Sequence, residues 1–348
     1  MPDSYDFSLP RAEQSSSEGK PLLTYLLCGI CVVVTLAFFL SGNRTGTFLY
    51  NLGSLGRGSG ISVWEGSYYY LMTSFFSHGT FMHLVFNMLW LVQLGTVLEL
   101  TLKPWQYALF VLSATIVSSC AELAFTGMTG IGASGVVYAM FGLLWMGRAK
   151  MAAWRAVATR NNLNIFVVWG LLCIVLTYTN VLNIANAAHG AGFLFGLCIG
   201  GLFFAPRRQP LLAIPLVGLI VVCALAVFWA PWLPQWDFIQ GSKELDRHRY
   251  PQSITWFQRS ISTGLDSANA AGAWHNIALP GMLLLWKHRR IRIPAVSIRL
   301  WQNRNWRWNT RARWIRKRPP SKKMNRKQRR PPAQANFAPS CPSPNRNN

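Results

Sequence analysis

The chain has 348 residues, 51% of them hydrophobic and only 13% charged, with a mean hydropathy of +0.22. Soluble globular chains run nearer one quarter charged, so the composition argues against that class and for a multi-span membrane protein. The net charge of +23 sits at one end: residues 1–286 hold 15 Lys/Arg and all 11 acids, while Lys287 onward holds 19 Lys/Arg and no acid.

Residues 1–20 form an N-terminal segment with four acids. No small-residue cleavage site is evident after it, so the first apolar stretch reads as a retained span rather than a signal peptide. A span needs about 20 apolar residues. Candidates are Pro21 to Leu40, Phe81 to Leu98, Pro104 to Phe125, Leu163 to Tyr178 and Leu211 to Ala230. Two more start near Gly132 and His189 and are rich in glycine. Seven spans are predicted, six in a core over 21–205 and the seventh within 206–231. The aromatic stretch Trp64 to Phe76 suits a membrane interface.

Lys and Arg in short loops set orientation. With the N-terminus cytoplasmic, the inner loops hold Arg11, Lys20, Lys103, Arg148, Lys150, Arg155, Arg160, Arg207 and Arg208, against Arg44 and Arg57 outside. The region after the seventh span then lies outside. Within residues 232–286, two amphipathic helices are expected, Tyr250 to Ile261 and Ala271 to Leu285, as a small tetratricopeptide-like appendage. One such unit cannot bury its own face. The tail 287–348 has no sustained periodicity. A disordered solvated segment, a binder of nucleic acid or anionic lipid and a shifted reading frame all stay open, and its partner is unknown. Six of the seven cysteines lie in apolar stretches; they give neither a disulfide framework nor zinc spacing and read as packing residues.

Spans two, four and six enter from the outer side and carry His83, Ser134 and His189 near their outer ends. From Ser134 to Arg148 is roughly 21 Å of helix, against a hydrocarbon core about 30 Å thick. Helix four therefore begins below the outer surface, where non-helical backbone survives only against protein or a water-filled recess. A hydroxyl and an imidazole at that depth are a nucleophile and a base, the parts of acyl transfer. First-turn N–H groups at Ser134 point at an oxyanion position, and Gly132 and Gly135 permit close backbone approach. Tyr138 shares the face of Ser134, and Ala185, His189, Gly192 and Gly196 form a small-residue stripe for close helix contact. His83 and Asn87, one turn apart, are candidate side-chain oxyanion donors. No acid lies at matching depth: Glu99 is at the inner end of span two and Glu122 on another helix, so a dyad without a triad acid is expected.

Together His78-x-x-x-x-His83-x-x-x-Asn87, Gly132-x-Ser134-Gly135-x-x-Tyr138 and Ala185-x-x-x-His189-x-x-Gly192-x-x-x-Gly196 resemble the rhomboid family of intramembrane serine proteases, over roughly residues 20 to 205. The resemblance implies an all-α polytopic bundle, a six-helix rhomboid-like core with a seventh C-terminal span. It implies Ser134 as nucleophile and His189 as general base. His83, Asn87 and the Ser134 N–H would form the oxyanion site, with His78, Tyr138 and Glu99 supporting it. No cofactor or metal is required. The implied substrates are transmembrane proteins in the lipid bilayer, the implied location a bacterial inner membrane, and no nucleic acid is expected for the core. A non-catalytic relative that binds membrane helices is the alternative, although such relatives typically lack the serine or the histidine. The family's first outer loop usually carries Trp-Arg where this chain has Tyr69-Tyr70.

Overall fold

The computed structural model describes residues 19–42, 44–205 and 209–289. The expected N-terminal segment and basic tail lie almost wholly outside the described residues. Among the described residues, six helices are long and apolar enough to cross a membrane. In chain order α1 spans Leu22–Leu40, followed by the short helices α2 (Phe48–Gly53), α3 (Gly60–Trp64) and α4 (Tyr70–Thr73) and a 3-10 turn, Ser74–Phe76. The bundle continues with α5 (Phe81–Thr101), α6 (Pro104–Thr126), α7 (Ser134–Gly147), the short α8 (Ala152–Val157), α9 (Arg160–Tyr178), α10 (Asn186–Phe204) and α11 (Gln209–Phe228). Three further helices follow: α12 (Pro234–Asp246), α13 (Tyr250–Ser262) and α14 (Ser267–Arg289).

Local chemistry sets the boundaries. Thr80 caps α5 by accepting the His83 N–H, and Thr159 caps α9 by accepting that of Asn162. Pro104 opens α6 where its missing N–H costs nothing. Gly127 ends α6 with φ of 73°, a left-handed conformation that glycine adopts without strain. The fifth span thus starts at Arg160, before the expected Leu163, because apolarity was used to find it and its cap is polar.

The all-α polytopic bundle is as expected. Six of the seven spans are full-length helices; the other, α7, has 14 residues and sits in the middle of the core. Its residues Ala139, Met140, Phe141 and Leu144 are fully buried, packed with Leu91, Leu94 and Leu98 of α5 and others. By contrast α9 and α11 are peripheral and present Val168, Leu171, Ile214 and Ile220 outward. A bilayer is the solvent that such faces suit. Between residues 232 and 286 there are three helices rather than two: α12 was missed because its Pro, Lys, Glu and Asp dilute the apolar pattern. It packs Phe238 against Phe257 of α13.

Candidate active site

The site is built where α7 and α10 run in backbone contact. A Cβ at Gly196 would overlap the carbonyl oxygen of Ala139, and one at Gly192 that of Gly135. Gly142 does the same from the other side, since its Cβ would lie 2.5 Å from Phe193 O. Glycine on both helices lets the backbones approach this closely, the packing mode of small-residue stripes in lipid.

That approach brings Ser134, first residue of α7, to His189, in the first turn of α10. Ser134 Oγ and His189 Nε2 are 2.8 Å apart, a hydrogen bond. His189 is 7% exposed, and its ring stacks on Tyr138 at 4.7 Å and 18°. Tyr138 is held in turn by a bond from its hydroxyl to Phe166 O (3.0 Å). His189 Nδ1 is buried without a hydrogen-bond partner, so no carboxylate orients the ring from behind. Stacking on Tyr138 and the bond to Ser134 do that instead.

Two further histidines of the site, His78 and His83, come from the N-terminal side of α5. Their rings meet edge-to-face at 4.9 Å. The Gly79 N–H donates to His83 Nδ1 (3.3 Å), which leaves the proton on Nε2. That Nε2 abuts the Gly132 α-carbon, for a Cβ there would lie 2.7 Å from it. Gly132 also has φ of 107°, closed to other residues. His78 accepts the Ala133 N–H at Nε2 (3.4 Å) and meets Thr35 Oγ1 through Nδ1 (3.4 Å). It therefore fixes the peptide beside Ser134. Asn87 is buried and donates from Nδ2 to His83 O (2.8 Å), with its second amide hydrogen left over. The Ser134 N–H is in the first helical turn and has no intrahelical acceptor.

Behind Ser134 is a recess with a volume of about 20 Å³, lined by Ser74, Thr115, Ser118, Ser119 and Gly135 among others. Such a volume holds a water molecule, and six of the fourteen lining residues bear hydroxyls. Ser118 Oγ, at its wall, has no protein partner.

One expected residue is not brought to the site. Glu99 lies 16 residues along α5 from His83, about 24 Å of helix. It accepts the backbone N–H groups of Leu23 and Thr24 (2.8 and 2.7 Å) and the Thr24 hydroxyl. It caps α1 instead of joining His83 and Ser134, because a carboxylate at a helix N-terminus satisfies free donors.

Other residues matter to the site although no motif marks them. Glu122 of α6 accepts the Ala188 N–H through Oε2 (3.2 Å) and so holds the first turn of α10 next to His189. Arg57 donates from Nη2 to His78 O (2.9 Å), its guanidinium 3.7 Å above the Phe38 ring. At the Tyr69-Tyr70 departure, the Tyr70 ring packs on Gly58, and the guanidinium of this loop comes from Arg57. In sequence only their charge within apolar or small-residue stretches flags these residues, and that signal does not say what is touched.

Residues 65–206 match the family model described as the rhomboid domain. The chain is 30% identical over 179 residues to a protein named rhomboid protease GlpG from Salmonella paratyphi A, and equally to the one from Salmonella typhi. The protein of that name from Salmonella newport is 29% identical over the same length. These alignments cover 51% of this chain and 61% of each relative.

Proposed function

We propose that this chain, whose residues 65–206 match the rhomboid domain, is an intramembrane serine endopeptidase of the rhomboid family working through a Ser134–His189 dyad. The observation that carries the reading is the 2.8 Å contact between Ser134 Oγ and His189 Nε2 on two helices packed without intervening side chains. A nucleophile and base within hydrogen-bond reach are what acyl transfer needs.

In this mechanism Ser134 Oγ attacks the scissile carbonyl carbon while His189 Nε2 takes its proton. The carbonyl oxygen becomes an oxyanion, met by the Ser134 N–H, His83 Nε2–H and the free amide hydrogen of Asn87. Collapse breaks the C–N bond, and His189 returns the proton to the leaving amine. Water from the hydroxyl-lined recess then loses a proton to His189 and attacks the acyl carbon; Ser134 leaves and is reprotonated. Substrates are membrane proteins whose transmembrane segments unwind near the site, since a peptide carbonyl inside an intact helix is already bonded. The N-terminus is cytoplasmic in this reading and the site opens to the outer side.

The test is fluorophosphonate labelling of the purified chain in detergent, with cleavage of a reporter transmembrane segment. Labelling is expected in the unmutated chain, to vanish in Ser134→Ala and to fall at least about a hundredfold in His189→Ala. An unlabelled native chain that leaves the reporter intact overturns the proposal and favours a helix-binding relative.

A further inference from the structure

The junction of α11 and α12 grips the two segments that frame Ser134. Trp64 of α3 is 5% exposed, donates from Nε1 to Ala226 O (2.9 Å) and meets Trp236 of α12 edge-on at 5.5 Å. Trp232 donates from Nε1 to Ala124 O (2.7 Å), three residues before the end of α6 at Gly127. The Gln235 side chain occupies the notch that Gly127 leaves open, with Oε1 2.7 Å from where a Cβ would stand.

From Gly127 a strap, residues 127–133, leads straight to the nucleophile. The Gly60 N–H donates to Gly127 O (2.8 Å), Ser59 bridges to Met128, and Thr129 Oγ1 donates to Gly58 O (3.1 Å). At its far end the Gly132 N–H donates to Ser74 O (2.9 Å). The strap is thus clipped along its length to the segment 58–74, and α12 holds both partners at the Trp64–Gly127 end. A helix that merely followed the last span would have no reason to fill Gly127 or cover Trp64.

We propose that Trp236 and Gln235 are positioning residues for Ser134, and that the α12–α14 appendage sets the alignment of the nucleophile through the strap. The proposal rests on the proteolytic reading for its consequence. It goes beyond that reading in making activity depend on a part of the chain outside residues 65–206. Whatever engages or displaces α12 from the outer side then alters turnover without touching the dyad.

The full chain in lipid nanodiscs carries Trp236→Ala, Gln235→Ala or the conservative Trp236→Phe. Two quantities are read: the fluorophosphonate labelling rate, and amide hydrogen exchange at 127–133 and in α10. W236A is expected to slow labelling about tenfold or more, the effect of a slightly misplaced group. Exchange at 127–133 should rise while that in α10 stays unchanged, and W236F, which keeps a ring, should restore most of both. If W236A does not fold, Q235A carries the same comparison. Looser exchange in α12 with none at 127–133 overturns the proposal, as does a looser strap with an undiminished labelling rate. A native chain that takes no label sinks the proteolytic reading instead, while the exchange arm still decides whether α12 holds the strap.

Discussion

Gly132 illustrates how much of the site depends on single atoms. A methyl group there would stand 2.7 Å from two atoms of the His83 ring and 3.5 Å from His78, on a backbone with φ of 107°. Gly132→Ala is therefore expected to cost about 1–3 kcal/mol of stability and to reduce fluorophosphonate labelling about a hundredfold by turning His83 away. Labelling within twofold of the native chain would show that His83 is not a donor at this position. Ser134, His189, His83 and Gly132 were legible in sequence because local spacing forces them onto known faces and depths. Glu122 and Arg57 were not, since their partners, Ala188 and His78, are 66 and 21 residues away. Glu99 was legible as a buried-end acid, but its partner at the start of α1 is 75 residues distant, and only the fold reveals it.

At the scale of elements, the long spans were readable because apolar runs near 20 residues leave few alternatives, and the shortness of α7 followed from its flanking Ser134 and Arg148. The short helices α2, α3 and α4 were not, because four to six residues carry no period and their stability comes from caps such as Thr47 and Ser59. The junction of α3 with α12 is expected to respond to pH. Burial and the nearby Asp246 push the Glu65 carboxyl pKa up, and Lys243 pulls it down, with a net rise. A carboxyl whose pKa is raised by folding stabilises the fold below its unfolded pKa and loses that contribution as pH rises through the folded one. Thermal melts of the native chain and Glu65→Gln should therefore coincide near pH 4 and diverge at neutral pH, where the glutamine variant melts higher. A native chain that melts higher at neutral pH would mean that Lys243 outweighs burial and Asp246 together.

For the whole molecule, the charge asymmetry of the loops predicts a direction across the membrane. Alkaline phosphatase fused after Ser262 is expected to be active and a fusion after Lys150 inactive, because that reporter folds only outside the cytoplasm. The reverse pattern would invert the assignment of nine loop cations to the inner side. The extra helix α12 also changes the view of the chain beyond residue 206: three helices share a small core of Phe257, Leu265 and Ala273, and a second core joins α12 to α3, α6 and α11.

Between α7 and α10 there is no cushion, since Gly192 and Gly196 rest directly on the main-chain oxygens of Gly135 and Ala139. Side chains elsewhere can shift rotamers without altering how far apart the hydroxyl and the imidazole sit, because no adjustable shim lies between their two rods. On the proteolytic reading, warming such a pair is expected to leave it in register until the rods themselves part, so that reactivity and integrity fail at one temperature.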